Sequence, residues 1–327
     1  MRRQELPRHH AGAQARPSLK HAGALSTTMS KPAIEAGFSA ALDESLADLH
    51  AAAEAIWVDT QADCPGLSID VVPELASTNA TLMQQARQGL CTPTLLTTAH
   101  QTAGRGRLGR QWVAQPGDCL TFSLGMPLRL DQIPGGGSAL ALAVGLSLAQ
   151  SIDTAFTRQG LASPGTRLKW PNDLWWHERK LGGILIEATQ AVGQPVDQRW
   201  VVIGVGLNLR PAPGQVQAAC LQEHWPDTAP RLLPGQVWRW VAPELIRAVQ
   251  RFEQTGFAPL ADAFRQRDAL LGREVLLWQR ASMPGDQAPS GRGTAQGVNE
   301  QGGLLVHTDG QVQTWTSGDV TVRLQTP

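Results

Sequence analysis

Two stretches of the sequence gather the side chains that could handle an anion. The first is Gln101-Thr102-Ala103-Gly104-Arg105-Gly106-Arg107-Leu108-Gly109-Arg110-Gln111-Trp112, in which three arginines alternate with three glycines. Glycine lets backbone N–H groups come close to a ligand, and guanidinium groups hold phosphate or carboxylate oxygens in pairs. The run also satisfies G-x-G-x-x-G, but a dinucleotide fold needs a helix directly after the glycines. Here Pro116-Gly117 and a strand-like CLTFSLGM follow instead. No G-x-x-x-x-G-K-[ST] occurs, so a P-loop is excluded. The segment reads as a flexible anion clamp; its plain alternative is a solvated loop with Arg-Gly repeats.

The second stretch is Lys169-Trp170-Pro171-Asn172-Asp173, followed by Lys180-Leu181-Gly182-Gly183-Ile184-Leu185-Ile186-Glu187. Pro171 ends strand pairing, which leaves Asn172 and Asp173 at a strand end, where ligand groups collect. A turn with a capping Asp accounts equally well for this piece alone. Beside the clamp, an acidic group flanked by lysines suits a magnesium nucleotide. Lys180 then projects from the mouth of a hairpin, with Gly182-Gly183 leaving space against the backbone. A third piece, Gly204-Val205-Gly206-Leu207-Asn208, puts small residues and an amide at a strand end, either for a ligand or for a bulge or close packing.

Other chemistries find no support. There is no G-x-S-x-G, no H-E-x-x-H and no Cys–His signature, and the absence of tyrosine excludes a catalytic phenol. The four cysteines lie far apart without C-x-x-C, which suits a reducing cytosol rather than a zinc site or disulfide scaffold.

These residues must be held by elements, and the sequence supplies them. Its 327 residues allow about two domains. With 28 basic and 28 acidic side chains, the neutral balance argues against non-specific nucleic-acid binding. Residues 1–40, basic and without hydrophobic periodicity, are expected to be a disordered arm, with Met29 an alternative start. Residues 41–57 have the spacing of one amphipathic helix, short of a winged helix-turn-helix. No membrane span is expected: the most apolar run, 139–149, stops at Gln150, Ser151 and Asp153 and reads as part of a buried helix. From Ser68 strands and helices alternate, through SIDVV, a helix over 77–88, TLLTTAH, CLTFSLGM, a helix over 138–158, RLKW, KLGGILIEA, RWVVIGVGLNL and helices over 236–254 and 257–270. After Gly272 five short strands predict a small β-barrel. The layout is an arm (1–40), a helix and linker (41–66), a ligand-binding α+β domain (67–271) and a barrel (272–327).

Ser77-Thr78-Asn79, QTAGRGRLGRQW at 101–112, KWPNDLWW with RKLGGILIE at 169–187, and GVGLNL at 204–209 together resemble the biotin protein ligases, over about residues 68–325. The resemblance implies a mixed-sheet catalytic domain of the biotin/lipoate ligase type, related to class II tRNA synthetases, followed by an SH3-like barrel. It implies substrates biotin and ATP, the cofactor Mg²⁺, and, as partner, a biotin carboxyl carrier protein of acetyl-CoA carboxylase. The single N-terminal helix suggests the ligase-only type, with no DNA partner. A cytoplasmic monomer or homodimer is expected. Rival expectations are a lipoate or octanoate ligase of the same fold, and a biotin-sensing regulator without turnover.

Residue by residue, the resemblance assigns biotin binding to Ser77, Thr78, Asn79, Gln101, Gly104, Arg105, Gly106, Arg107 and Lys180. Gly183, Gly204 and Gly206 would let the thiophane ring lie on the backbone. Lys180, Arg105 and Arg107 carry catalysis by placing positive charge where carboxylate meets α-phosphate. Arg107, Arg110, Trp112, Lys169, Asn172, Asp173 and Asn208 would hold ATP, and Asp173 would bind Mg²⁺. Some relatives carry arginine where Gln296 stands.

Overall fold

A computed structural model describes residues 31–211, 218–279, 288–316 and 320–325. In chain order the elements are α1 (Lys31–Thr60), β1 (Ser68–Leu75), α2 (Thr78–Arg87), β2 (Thr94–Gln101), β3 (Gly104–Arg105), β4 (Gln111–Trp112), β5 (Cys119–Leu128), α3 (Leu140–Arg158), β6 (Arg167–Lys169), β7 (Asp173–Trp176), β8 (Arg179–Thr189), β9 (Arg199–Asn208), α4 (Pro234–Thr255) and α5 (Ala261–Arg267). The second unit contains β10 (Glu274–Gln279), β11 (Gly291–Val298), β12 (Leu304–Thr308), β13 (Gln311–Trp315) and β14 (Val320–Leu324).

The large sheet runs β1-β2-β5-β9-β8-β7-β6. Only β1 and β2 pair in parallel; every other pair is antiparallel, so the sheet is mixed. Successive side chains of a strand face opposite sides, and β9 obeys this in its packing. Val201 and Ile203 join the main core with residues of α1, α3 and α4, whereas Val202 joins Leu82, Met83 and Ala86 of α2 on the other face. The smaller sheet is antiparallel in the order β13-β12-β11-β10-β14, with a bulge between Ala295 and Gly297. Trp170 is almost fully buried and its indole N–H donates to the carbonyl of Gly302 at 3.0 Å, fastening the barrel to the larger unit.

Two expectations change. The N-terminal helix starts at Lys31 rather than 41. Local periodicity is weak there, but Phe38 packs edge-on against His100 of β2 at 5.1 Å, a partner invisible in the local sequence. The expected disordered arm otherwise falls on residues 1–30, which lie outside the described residues. α1 also caps another helix: the Asp48 carboxylate accepts from the backbone N–H of Gly235, in the first turn of α4, whose own N-cap residue Leu233 offers no side-chain acceptor.

The second change concerns where the apolar run of the buried helix ends. By length and composition Gly137–Arg158 passes as a membrane span, because Ser151 and Asp153 do not end it. Yet 83% of its most apolar window is buried inside the molecule. The Asp153 carboxylate is buried too, and meets Arg267 at 2.5 Å and the Thr166 hydroxyl at 3.1 Å. This is a core helix.

Candidate active site

A cleft of about 230 Å³ opens over β8 and β9, between the N-terminus of α2, the Gly-Arg loop and the barrel. Its inner end is neutral and polar. Ser77 caps α2 by accepting from Ala80 N–H at 3.4 Å. The Gln101 side-chain oxygen accepts from Thr78 N–H at 2.9 Å, and Ser123 Oγ lies 2.7 Å from Thr78 Oγ1 and 2.6 Å from Asn79 Oδ1. The Asn79 amide donates to the Leu185 carbonyl at 3.1 Å and to Glu187 Oε2 at 3.0 Å. Asn79 is buried and fully engaged, so it sets the geometry of this nook.

Over the nook lies the loop. β3 and β4 pair as a two-stranded ribbon, and Gly106 N–H donates to Arg110 C=O at 2.7 Å to close its tip. The tip needs left-handed backbone at Leu108 (φ 57°) and Gly109 (φ 73°). From this ribbon Arg107 reaches Asn172 Oδ1 at 3.1 Å, and Arg105 lies 3.6 Å from Glu187. A Cβ on Gly104 would overlap the Trp112 carbonyl and the Gln101 amide, which explains the residue type there.

The far wall is cationic. Asn172 is held by reciprocal bonds with Ile184, its amide donating at 2.7 Å and its carbonyl accepting at 2.9 Å. Lys180 Nζ donates to Asp173 Oδ1 at 2.7 Å. Lys169 Nζ sits 4.6 Å above the Trp175 ring. Burial pulls the Lys169 ammonium down to about 8; Lys180, Arg110 and Arg323 push the same way, and Asp173 opposes them. Among the described residues the lining thus contains Arg105, Arg107, Arg110, Lys169 and Lys180 against one carboxylate, Asp173. That excess of positive charge beside a neutral hydrogen-bonding nook suits a polyanion and a polar uncharged group at once.

Most expected site residues line this cleft: Ser77, Thr78, Asn79, Gln101, Arg105, Gly106, Arg107, Arg110, Trp112, Lys169, Asn172, Asp173, Lys180, Gly183, Gly204 and Gly206. Gly104 and Asn208 do not. Asn208 is buried, and its amide donates to the carbonyls of Lys180 (3.3 Å) and Ala219 (3.1 Å); it fixes backbone behind the site instead of facing it. Three of these glycines are also closely approached from within the chain. Space above Gly204 is filled by the Asn79 side chain, above Gly206 by the Trp112 ring, and above Gly183 by Lys180. They admit the chain's own side chains.

Ser123, Glu187 and the barrel residues Val320, Thr321 and Val322 escaped the sequence reading. Glu187 stood inside a recognised motif and could have been found; β14 read as a barrel strand, but nothing local in it pointed to a cleft built by residues far back along the chain.

Residues 71–208 match the Biotin/lipoate A/B protein ligase family, and residues 280–323 the Biotin protein ligase C terminal domain. The chain is 32% identical over 261 residues to the bifunctional ligase/repressor BirA of Escherichia coli (strain K12), covering 79% of this chain and 75% of that protein. It is 34% identical over 260 residues to the biotin–[acetyl-CoA-carboxylase] ligase of Mycobacterium tuberculosis (strain H37Rv), covering 77% and 88%. Among solved structures it is similar to the biotin protein ligase from Aquifex aeolicus in complex with biotin and ATP, with a TM-score of 0.61, 25% identity, and coverage of 79% of this chain and 99% of that one.

Proposed function

The chain belongs to the biotin/lipoate A/B protein ligase family, and we propose that its cleft activates biotin with ATP and passes it to a lysine of a biotin carboxyl carrier protein of acetyl-CoA carboxylase. The observation that carries this reading is the pairing of a neutral polar nook with a wall that, among the described residues, holds five cations and one carboxylate. A ureido ring needs matched donors and acceptors, which Ser77, Thr78 and Gln101 present around α2. A carboxylate and a triphosphate repel each other, so positive charge must lie between them.

In the first step a biotin carboxylate oxygen bonds to the α-phosphorus while the bond to the pyrophosphate oxygen breaks. The products are biotinyl-5′-AMP and pyrophosphate. In the second, the acceptor lysine's neutral amine attacks the acyl carbon, the acyl–phosphate C–O bond breaks, AMP departs and the amine loses a proton. Lys180 and Arg107 neutralise charge at the reacting atoms, while Arg105 acts from the loop. Arg110, Trp112, Lys169, Asn172 and Asp173 hold the nucleotide; Asn208 supports Lys180 from behind.

Among the described residues no cluster of three or more His, Cys, Asp or Glu could cage a metal. Magnesium fits as an ion carried on the triphosphate with Asp173 as its single protein carboxylate, a mode usual for Mg²⁺; bound there it would offset phosphate charge. ATP supply and the unpaired cysteines fit a cytoplasmic site of action.

The test is biotin-dependent ATP–pyrophosphate exchange, followed by transfer of labelled biotin to a purified carrier domain. Exchange that ignores biotin, or that answers equally to lipoate, overturns the proposal.

A further inference from the structure

Glu187 stands where two parts of the site meet, and neither the motif reading nor the mechanism uses it. One of its oxygens accepts from the buried Asn79 amide at 3.0 Å, and the same oxygen lies 3.6 Å from a guanidinium nitrogen of Arg105. Asn79 is only 3% exposed and is held from its other side by Ser123, so it cannot swing to follow the loop. Glu187 is therefore fixed at its inner contact. Arg105 belongs to the short ribbon β3–β4 and its side chain is half exposed. An ion pair between a fixed carboxylate and a loop arginine holds the loop down.

We propose that Glu187 is a positioning residue that latches the Gly-Arg loop over the nook through Arg105. This deepens the proposed function and rests on it for the meaning of loop closure, namely retention of biotinyl-AMP. Asn79 takes part twice, since it lines the nook and supplies the hydrogen bond that orients Glu187. The latch thus joins the wall of the nook to the loop through one carboxylate. Its strength is that of a partly exposed ion pair, so it is weak enough to open for product and is screened by salt.

Glu187→Gln keeps an acceptor for Asn79 but removes the charge that attracts Arg105. Arg105→Gln removes the other partner, and the double variant closes a mutant cycle. The first readout needs no ligand: the rate of tryptic cleavage after Arg110 at low salt. Each single variant should raise it roughly two- to five-fold, the double should raise it no further, and high salt should bring the parent to the variants' rate. The second readout is biotinyl-AMP released per turnover without carrier, expected to rise by the same factor in Glu187→Gln.

Additive cleavage rates, or parent-like cleavage in Glu187→Gln, overturn the latch. If the cycle holds but the parent shows no biotin-dependent exchange, it is the proposed function that fails, and the loop contact stands without that purpose. Melting temperatures of all four proteins separate a loosened loop from a destabilised fold.

Discussion

The Arg107 guanidinium donates to Asn172 Oδ1 at 3.1 Å, joining the tip of the Gly-Arg loop to the turn after Pro171. Asn172 is itself locked to Ile184 in both directions. The two motifs that carry the chemistry are thus one structural unit before any ligand arrives. Arg105, by contrast, lies in β3 rather than at the tip, against Glu187 and half in solvent.

This geometry divides the arginines. Loss of Arg107 removes both a charge and the tether, so Arg107→Gly should release biotinyl-AMP about ten- to a hundred-fold faster, by the usual worth of a charge-assisted hydrogen bond. Arg105→Gly should release it only a few-fold faster. Biotin blots of serum albumin beside the carrier domain measure both. Equal bystander labelling by the two variants would refute the division.

Lys180 should behave oppositely. Its charge lies where carboxylate and α-phosphate must approach, so Lys180→Ala should depress pyrophosphate exchange about a hundred-fold or more. Its ion pair with Asp173 is partly exposed at both ends, so melting should change little. A large fall in melting temperature with exchange retained would assign Lys180 to structure.

Much of this site was legible in sequence because its parts are local. Gly-Arg alternation, the residues after Pro171 and the capping Ser77 declare themselves within a few positions, and all reach the cleft. What escaped depends on the fold. Ser123 becomes polar support only because β5 passes beneath α2, and Asp48 becomes a cap only because α1 crosses the start of α4. Gly204 and Gly206 line the cleft, and the side chains that fill the space above their Cα atoms are Asn79 and Trp112. Small residues signal close approach, but they do not say of what.

The barrel's part in the site rests on Trp170. Trp170→Phe keeps the buried ring but leaves the Gly302 carbonyl without its donor, which costs about 1–3 kcal/mol. Because Val320, Thr321 and Val322 line the cleft, loosening the barrel should raise KM for the nucleotide. Biotin sits against α2 in the proposed mode, so its KM should hold. Parallel changes in both constants would indicate general destabilisation.

Asp48→Ala should lower unfolding free energy by roughly 0.5–2 kcal/mol, the ordinary cost of an N-cap. Gly235→Ala tests the same joint differently, since a Cβ there would run into the backbone of Asp48. Denaturant titration of both variants checks that α1 is integral to the larger unit. An unchanged midpoint in both would show that it is not.

Lys169 gives the site a pH dependence. Its ammonium is held near 8 by burial and by neighbouring cations, against an ordinary value of 10.5. A triphosphate beside it favours the charged form and raises that value, so binding nucleotide takes up a proton when the pH exceeds about 8. The sign follows: below 8 the lysine is already charged and affinity is flat, whereas above 8 each bound nucleotide must first protonate it. KM for ATP should therefore rise by up to about ten-fold between pH 8 and 9. Arginine stays charged throughout, so Lys169→Arg should flatten the curve even if its own KM is higher. Biotin binding in the absence of nucleotide should show no such rise, which separates titration of Lys169 from a general loss of structure at high pH. The measurement is KM for ATP in pyrophosphate exchange from pH 7 to 9 in both proteins. A rise in KM as steep in Lys169→Arg as in the parent would remove Lys169 as its cause.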